Sequence, residues 1–225
     1  TYGQLEAHIE KASSALRANG YGDGKTLSLI LGNDPRFIIT FLAIARAGAV
    51  AAPLNPSYTE EEFRFFMEDA GASAAIVPPG DHTGRTAAAK LELPILEALE
   101  YPDGSVAFLR EGDPLAPSGN VPLPNPDSPA LFLHTSGTTS KPKGVPLTHA
   151  NLMTSIANIA RTYSLSSADA SMVVMPLFHV HGLVGSTLAT LSTGGKAVLA
   201  PRFSASIFWD TVLEHHVTRY SAVPT

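Results

Sequence analysis

TSGTTSKPKG, residues 135–144, gathers hydroxyl side chains, two glycines and two lysines within ten positions. An apolar run at 130–133 precedes it and predicts a buried strand. Thr148 follows as the predicted N-cap of a helix whose apolar face carries Leu152 and Ile156. The expected order is therefore strand, small-residue loop, helix. Glycines let a backbone approach phosphate closely, hydroxyls donate to its oxygens and lysines neutralise its charge, so the stretch predicts a phosphate loop.

Two other phosphate-loop patterns do not fit this stretch. The pattern G-x-x-x-x-G-K-[ST] fails because Lys141 is followed by Pro142, and G-x-G-x-x-G is absent. A surface loop rich in Ser, Thr and Gly is the simpler alternative, but the flanking elements and the lysines favour phosphate. The predicted phosphate ligands are Thr135, Ser136, Gly137, Thr138, Thr139, Ser140, Lys141, Lys143 and Gly144. Thr139 is also the candidate hydroxyl for a magnesium ion held by the phosphates.

The remaining pattern predicts an α/β fold with mainly parallel sheets flanked by helices. Capping boxes at Thr1-x-x-Gln4 and Thr59-x-x-Glu62 begin two predicted helices. Predicted strands alternate with helices, which is typical of a parallel sheet covered on both faces. We expect a first α/β subdomain at 1–110, a connector rich in proline at 111–129, and a second, incomplete α/β segment at 130–225.

Composition excludes several classes of protein. The 225 residues carry a formal net charge of −5, which argues against a nucleic-acid-binding protein. There is no cysteine, so disulfides, thiolate metal sites and a cysteine nucleophile are excluded. No apolar run reaches the length of a membrane span. The chain starts without Met in a helix cap and stops in a predicted strand, so we expect a piece of a longer protein.

A second candidate site is PLFHVHG, residues 176–182, which directly follows a predicted strand. Ligands bind at the carboxyl ends of strands in open parallel sheets. His179 and His181 admit three interpretations: loop histidines with satisfied hydrogen bonds, a pair of metal ligands, or a site for an anion or carboxylate. His215 and His216 are instead predicted to cap a helix C-terminus.

Residues 135–144 resemble the signature of the acyl-adenylate-forming enzymes, which include acid–CoA ligases, luciferases and peptide-synthetase adenylation domains. Three further stretches resemble that family in the same order: TYGQL at 1–5, RAGAV followed by PLNP within 46–56, and PLFHVHG at 176–182. The resemblance therefore spans nearly the whole chain. The sequence departs from the family at Ser140, where Gly is usual, and at His134, where Tyr is usual.

The resemblance implies a fold and a reaction. The chain would be the first part of the large N-terminal domain of an adenylate-forming enzyme. ATP, Mg²⁺ and a small carboxylic acid would give an acyl-adenylate, and coenzyme A would then displace AMP. His179 would be the catalytic residue beside the substrate carboxylate, with His181 and Gly182 also binding substrate. The family's later segments lie beyond residue 225, so we expect this chain alone to be inactive.

The sequence around both motifs is most similar to oxalate–CoA ligases, because of His179, His181 and the stretch GVPLTH at 144–149. Malonate–CoA ligases share an H-x-H-G-L-like segment, and aryl-acid and fatty-acid ligases remain alternatives. A non-catalytic nucleotide-binding fragment is the alternative from another class. We expect an intracellular protein, cytoplasmic or peroxisomal, without nucleic-acid partners or a membrane span, and the pattern leaves the oligomeric state open.

Overall fold

The computed structural model describes residues 1–135 and 142–223. Its contacts divide the chain into two compact units. The first unit comprises Thr1–Leu31 and Pro35–His149, and the second comprises Gly32–Asp34 together with the chain from Ala150 onward. The division lies after the connector predicted at 111–129, because the strands that follow this connector continue the sheet of the first unit.

Eight strands form one sheet in the described part of the first unit. They are β1 (Thr26–Leu29), β2 (Val50–Pro53), β3 (Ala72–Val77), β4 (Ile95–Glu100), β5 (Val106–Arg110), β6 (Asp113–Pro114), β7 (Pro129–Thr135) and β8 (Lys143–Thr148). Their order across the sheet is β6-β5-β4-β3-β1-β2-β7-β8. The five strands β1, β2, β3, β4 and β7 run parallel, and β5, β6 and β8 pair antiparallel at the edges. The predicted mainly parallel sheet is confirmed.

Helices cover the central strands of this sheet. They are α1 (Tyr2–Ala18), α2 (Pro35–Arg46), α3 (Glu60–Asp69) and α4 (Thr83–Lys90). Every residue of β2 is buried, as expected for a strand with both faces covered. The core between α3, α4 and the sheet contains Phe63, Phe66 and Met67, which contact buried side chains of the neighbouring strands. Fully burying such a side chain contributes about 1.5–3 kcal/mol, so this cluster stabilises the unit.

The two helices that the sequence marked with a capping box begin at the predicted residues. Gln4 N donates to Thr1 Oγ1 at 3.3 Å, and Glu62 N donates to Thr59 Oγ1 at 3.3 Å. In both cases the side chain three positions on also hydrogen-bonds the cap residue, so both capping boxes are confirmed. The sequence analysis did not predict α4, whose cap is a histidine rather than a preferred residue type: His82 Nδ1 accepts from Gly84 N at 3.0 Å.

The element after the predicted phosphate loop is a strand, so the predicted order of strand, loop and helix is wrong. Strand β8 pairs antiparallel with β7. The helix α5 (His149–Thr162) begins only after it, directly beyond the predicted cap Thr148. Pro142 and Pro146 obscured the strand in the sequence. An edge strand tolerates proline because one side of it needs no ladder hydrogen bond, and β8 is an edge strand.

The second unit contains a parallel three-stranded sheet in the order β10-β9-β11. Its elements beyond α5 are β9 (Ala170–Val173), a π-helix (His181–Leu188) continued by α6 (Ala189–Leu191), β10 (Lys196–Leu199), α7 (Phe208–His215) and β11 (Arg219–Tyr220). The last turn of α7 contains His215, and His216 is its left-handed C-cap, so both histidines lie at a helix C-terminus as the sequence predicted. In the part of the chain that the structure describes, no helix has the length and apolarity of a membrane span.

Candidate functional site

The base of the predicted phosphate loop is the open end of the β7–β8 hairpin. Thr135 is the partner of Lys143 across the last pair of the ladder, and Thr135 Oγ1 donates to Lys143 O at 3.4 Å. Both residues are exposed. The remaining predicted ligands Ser136, Gly137, Thr138, Thr139, Ser140 and Lys141 lie outside the described residues. The structure therefore brings one hydroxyl and one lysine together where the loop begins and ends.

Packing in the hairpin explains the glycine at position 144, in addition to its predicted role beside phosphate. It lies opposite His134 in the hairpin. A Cβ atom at position 144 would collide with the ring of Phe132 and lie 3.3 Å from Asp69 Oδ2. A larger residue at 144 would therefore force the Phe132 ring to shift, so glycine suits the packing of the hairpin at this position.

His134 has a partner that the sequence analysis did not identify. Its Nε2 lies 2.9 Å from Asp69 Oδ2, at the C-terminal end of α3. The imidazole packs edge-on against Phe66 and Phe132, with ring centroids 4.6 and 5.2 Å away. His134 and Asp69 are far apart in sequence, and the sequence pattern contains no signal that would pair them.

The segment that carries His179 is fixed by a side chain from the start of the second unit. Asn33 Nδ2 donates to Met175 O at 3.3 Å, and Leu177 N donates to Asn33 Oδ1 at 2.8 Å. The amide thus bonds the backbone on both sides of Pro176, which has no N–H of its own. The sequence analysis did not identify this positioning role of Asn33.

A π-helix follows the histidine segment, an element that the sequence analysis missed. Helices of this kind are rare and often occur at functional sites. Gly182 lies in its first turn, where a Cβ atom would overlap Pro176 O and lie 2.5 Å from Met175 O. Thr187 Oγ1 donates to Gly182 O at 2.9 Å, five residues back along the widened helix. Gly182 therefore lets this helix begin directly against the preceding turn.

The two histidines at the start of the π-helix have different surroundings. His179 is exposed, and its ring lies 4.4 Å from that of Phe178. Partial burial nevertheless lowers the pKa of the His179 imidazole, which favours a neutral ring near pH 7 with one donor and one acceptor nitrogen. His181 Nε2 lies 2.7 Å from Ser221 Oγ. A neutral imidazole donor next to a helix N-terminus can hydrogen-bond a carboxylate.

The structure separates the predicted site residues into two groups. Thr135, Lys143 and Gly144 belong to the first unit, whereas His179, His181 and Gly182 belong to the second. No cluster of three or more histidine, aspartate or glutamate side chains that could hold a metal ion occurs within residues 1–135 and 142–223. The described residues therefore give no support to the metal-pair interpretation of the histidines. Thr139, the predicted magnesium ligand, lies outside these ranges.

Comparisons with known proteins match the whole chain. A family model described as "AMP-binding enzyme" matches residues 1–225. The chain is 44% identical over 238 residues to "Probable CoA ligase CCL9" of Humulus lupulus and 42% identical over 231 residues to an "Oxalate--CoA ligase" of Arabidopsis thaliana. Each alignment covers 100% of this chain, but only 44% and 45% of those relatives.

Among solved structures, the fold is similar to that of apo MatB from Rhodopseudomonas palustris. The TM-score is 0.84 at 26% identity, and the similarity covers 100% of this chain and 44% of that protein. The chain thus spans less than half the length of these three proteins.

Proposed function

This chain belongs to the AMP-binding enzyme family, and we propose that the protein is an acid–CoA ligase that uses ATP to activate a small carboxylic acid. In the first step a carboxylate oxygen attacks the α-phosphorus of ATP, the bond to the β-phosphate oxygen breaks, and pyrophosphate leaves. In the second step the coenzyme A thiolate attacks the acyl carbon, and AMP leaves. Because the chain covers 44% of its relatives, the activity is proposed for the whole protein.

The observation that best supports this proposal is the pairing of Thr135 with Lys143 at the base of the loop. An in-line displacement at phosphorus needs positioning and charge neutralisation more than covalent help from the protein. A lysine ammonium at the loop base neutralises phosphate charge, and a threonine hydroxyl donates to a phosphate oxygen. A bound magnesium ion would supply further charge neutralisation. Its predicted ligand Thr139 lies outside the described residues, so no step is assigned to the ion.

His179 is the proposed donor to the substrate carboxylate. Its lowered pKa favours the neutral form near pH 7, so one ring nitrogen can donate while the other accepts. Asn33 holds the turn before it, and Gly182 lets the π-helix start immediately after it. A preorganised donor aimed at the carboxylate reduces the cost of bringing this anion to a triphosphate.

Pyrophosphate exchange in the full-length protein tests the adenylation step. Lys143→Ala and Thr139→Ala are each expected to lower acid-dependent exchange about tenfold or more without unfolding the protein. Lys25→Ala is the matched control, since Lys25 is another exposed lysine of the first unit. Exchange that stays within about twofold of the unaltered protein in both loop variants contradicts the assignment. No acid-dependent exchange by the unaltered full-length protein would favour a non-catalytic nucleotide-binding role.

We further propose oxalate as the acid. The 42% identity to an oxalate–CoA ligase supports this choice, as does the second histidine. One carboxylate of oxalate becomes the acyl group, and the other stays ionised and needs its own donors. His181 bonds Ser221 through Nε2, which orients the ring and leaves Nδ1 for such a contact. A buried charge without a partner costs several kcal/mol, so this arrangement would select a dicarboxylate.

A panel of acids, assayed for AMP release with saturating ATP and coenzyme A, tests the substrate. We expect oxalate to be preferred over acetate, propionate and cinnamate by about a hundredfold or more in kcat/KM. His181→Ala should narrow this preference, and His179→Ala should lower activity with every acid. Preference for malonate, or for an aromatic or fatty acid, would contradict oxalate while leaving the adenylation proposal standing. The 225-residue chain alone is expected to release no AMP.

A further inference from the structure

The β7–β8 hairpin has limited support from the sheet near its open end. In the described residues, the registered pairing of β7 with β2 is confined to Ala51 and Leu131. The hairpin continues beyond this point through four more pairs, from Phe132–Pro146 to Thr135–Lys143. Strand β8 is the last strand of the sheet, so these four pairs need another contact to fix their position.

Side-chain contacts with α3 supply that support. His134 Nε2 lies 2.9 Å from Asp69 Oδ2, the last residue of α3. The His134 side chain is only 8% exposed, whereas that of Asp69 is 42% exposed. Phe66, one turn earlier on the same helix, packs against the imidazole with centroids 4.6 Å apart. The contact therefore combines a directional hydrogen bond to a carboxylate with an apolar wall that excludes water from the imidazole.

The opposite strand is shaped to admit the carboxylate. Gly144 lies across from His134, and a Cβ atom at 144 would lie 3.3 Å from Asp69 Oδ2 and collide with Phe132. The end of α3 thus contacts both strands of the hairpin at the pair His134–Gly144. This pair is adjacent in the ladder to Thr135–Lys143, the two residues that form the base of the phosphate loop.

We propose that the hydrogen bond between His134 and Asp69 is a positioning contact that holds the base of the phosphate loop against α3. This inference rests on the proposed function, because it assigns the loop to ATP. His134 and Asp69 act through Thr135 and Lys143, so they are positioning residues. A shift of about 1 Å in a positioned group can cost about 100-fold in rate, so a contact one residue away from the loop base has a measurable effect.

Enzyme kinetics of the full-length protein supply the first test. Asp69→Ala removes the acceptor, and His134→Phe keeps the aromatic packing without the donor. Each is expected to raise KM for ATP, lower kcat/KM for ATP about tenfold and leave KM for the acid unchanged. His134→Gln, which retains a donor near the Nε2 position, is expected to recover most of the loss. Glu60→Ala is the matched control, since it removes a different side-chain contact of α3, the ion pair with Lys90 at 2.6 Å, and should leave KM for ATP unchanged.

Amide hydrogen exchange tests the positioning without relying on activity. Faster exchange is expected at 133–135 and 143–145 in Asp69→Ala and His134→Phe, but not in Glu60→Ala. Unchanged exchange at these amides overturns the inference whatever the kinetics show. A fall in kcat with unchanged KM for ATP also overturns it, because a general loss of folded protein produces that pattern. If Lys143→Ala impairs ATP use while both positioning variants do not, the inference fails and the proposed function stands.

Discussion

The two units of the chain differ in how completely they bury their apolar side chains. In the first unit, Phe37, Phe41 and Phe63 are each at most 1% exposed. In the second unit, Trp209 and Leu213 of α7 are 69% and 72% exposed. The two units also differ in architecture: the first is built on an eight-stranded sheet and the second on a three-stranded sheet, and within α7 of the second unit only Phe208 is buried.

The cavities of the two units differ in the side chains that line them. A cavity of about 650 Å³ in the first unit is lined by charged groups, including Arg85, Glu97 and Arg110, together with apolar side chains such as Leu93 and Ile95. The cavity of about 570 Å³ in the second unit is lined instead by apolar side chains, which are Phe203, Ala205, Phe208, Trp209, Tyr220, Ala222 and Val223. Regions with few buried apolar contacts open at lower free energy. The first unit is therefore expected to carry most of the stability of this chain.

The largest expected difference between the two units is the loss of unfolding free energy when one leucine in each is replaced by alanine. Leu16 in α1 is fully buried, and Leu213 in α7 is 72% exposed. Leu16→Ala should lower the free energy of unfolding of the 225-residue chain by about 2–5 kcal/mol, because it removes buried methyl groups and leaves a cavity. Leu213→Ala should change it by less than about 0.5 kcal/mol. Urea unfolding followed by circular dichroism measures both changes, and equal losses in the two variants would contradict the comparison.

The next effect concerns two glycines in the π-helix of the second unit. Gly182→Ala places a methyl group against Pro176 O and Met175 O, whereas at Gly185 the nearest atom to a built Cβ is His181 Cδ2 at 3.6 Å. The first change forces the backbone to move and should cost about 1–3 kcal/mol, and the second should cost much less. Thermal unfolding measures the stability of both variants.

The acid-binding proposal adds a second readout for this glycine pair. Gly182→Ala should also raise KM for the acid in the full-length protein, because the turn that carries His179 is displaced. Gly185→Ala serves as the control for adding a methyl group to the same helix. Similar behaviour of the two variants would show that the close approach at Gly182 does not position the histidine segment.

Local sequence signals predicted those elements of the fold whose stabilising contacts are close in sequence. Thr1 with Gln4 and Thr59 with Glu62 marked two helix starts, because a capping box is completed within three residues. Long-range contacts left no such signal. The pairing of β8 with β7 and the contact of Asn33 with the turn at Pro176 are visible only in the folded chain.

The residues of the candidate site were predicted from two local signals, the chemistry of their side chains and the strand that precedes each motif. These signals picked out His179, His181 and the lysines of the loop, whose roles stay predictions. The π-helix was not predictable from the sequence. It depends on the close approach of Gly182 to the backbone oxygens of Met175 and Pro176, and on the hydrogen bond from Thr187 Oγ1 to Gly182 O, and neither contact produces a periodic pattern in the sequence. The partnership of His134 with Asp69 also depended on the position of α3, which the sequence around the loop does not contain.

The smallest expected effect is a pH dependence confined to the first unit, at His82. Its Nδ1 accepts from Gly84 N at 3.0 Å to cap α4, and only an unprotonated Nδ1 can accept. Burial lowers the pKa of His82, and the charge of Arg85 lowers it further, while a hydrogen bond to the backbone of Pro56 opposes these effects. The unfolded chain therefore binds the proton more readily, so the contribution is present above about pH 6.5 and declines as the pH falls below that value.

His82→Asn isolates this contribution, since asparagine is a good N-cap that does not titrate. Between pH 7.5 and 5.5 the unaltered chain should lose more unfolding free energy than the variant, by less than about 1 kcal/mol, the typical contribution of a helix cap. Other groups titrate equally in both proteins, so the difference between their urea-unfolding curves at the two pH values reports His82 alone. Parallel losses would mean that protonation of this ring does not weaken the cap, and the acid sensitivity of the first unit would then come from its other titratable groups.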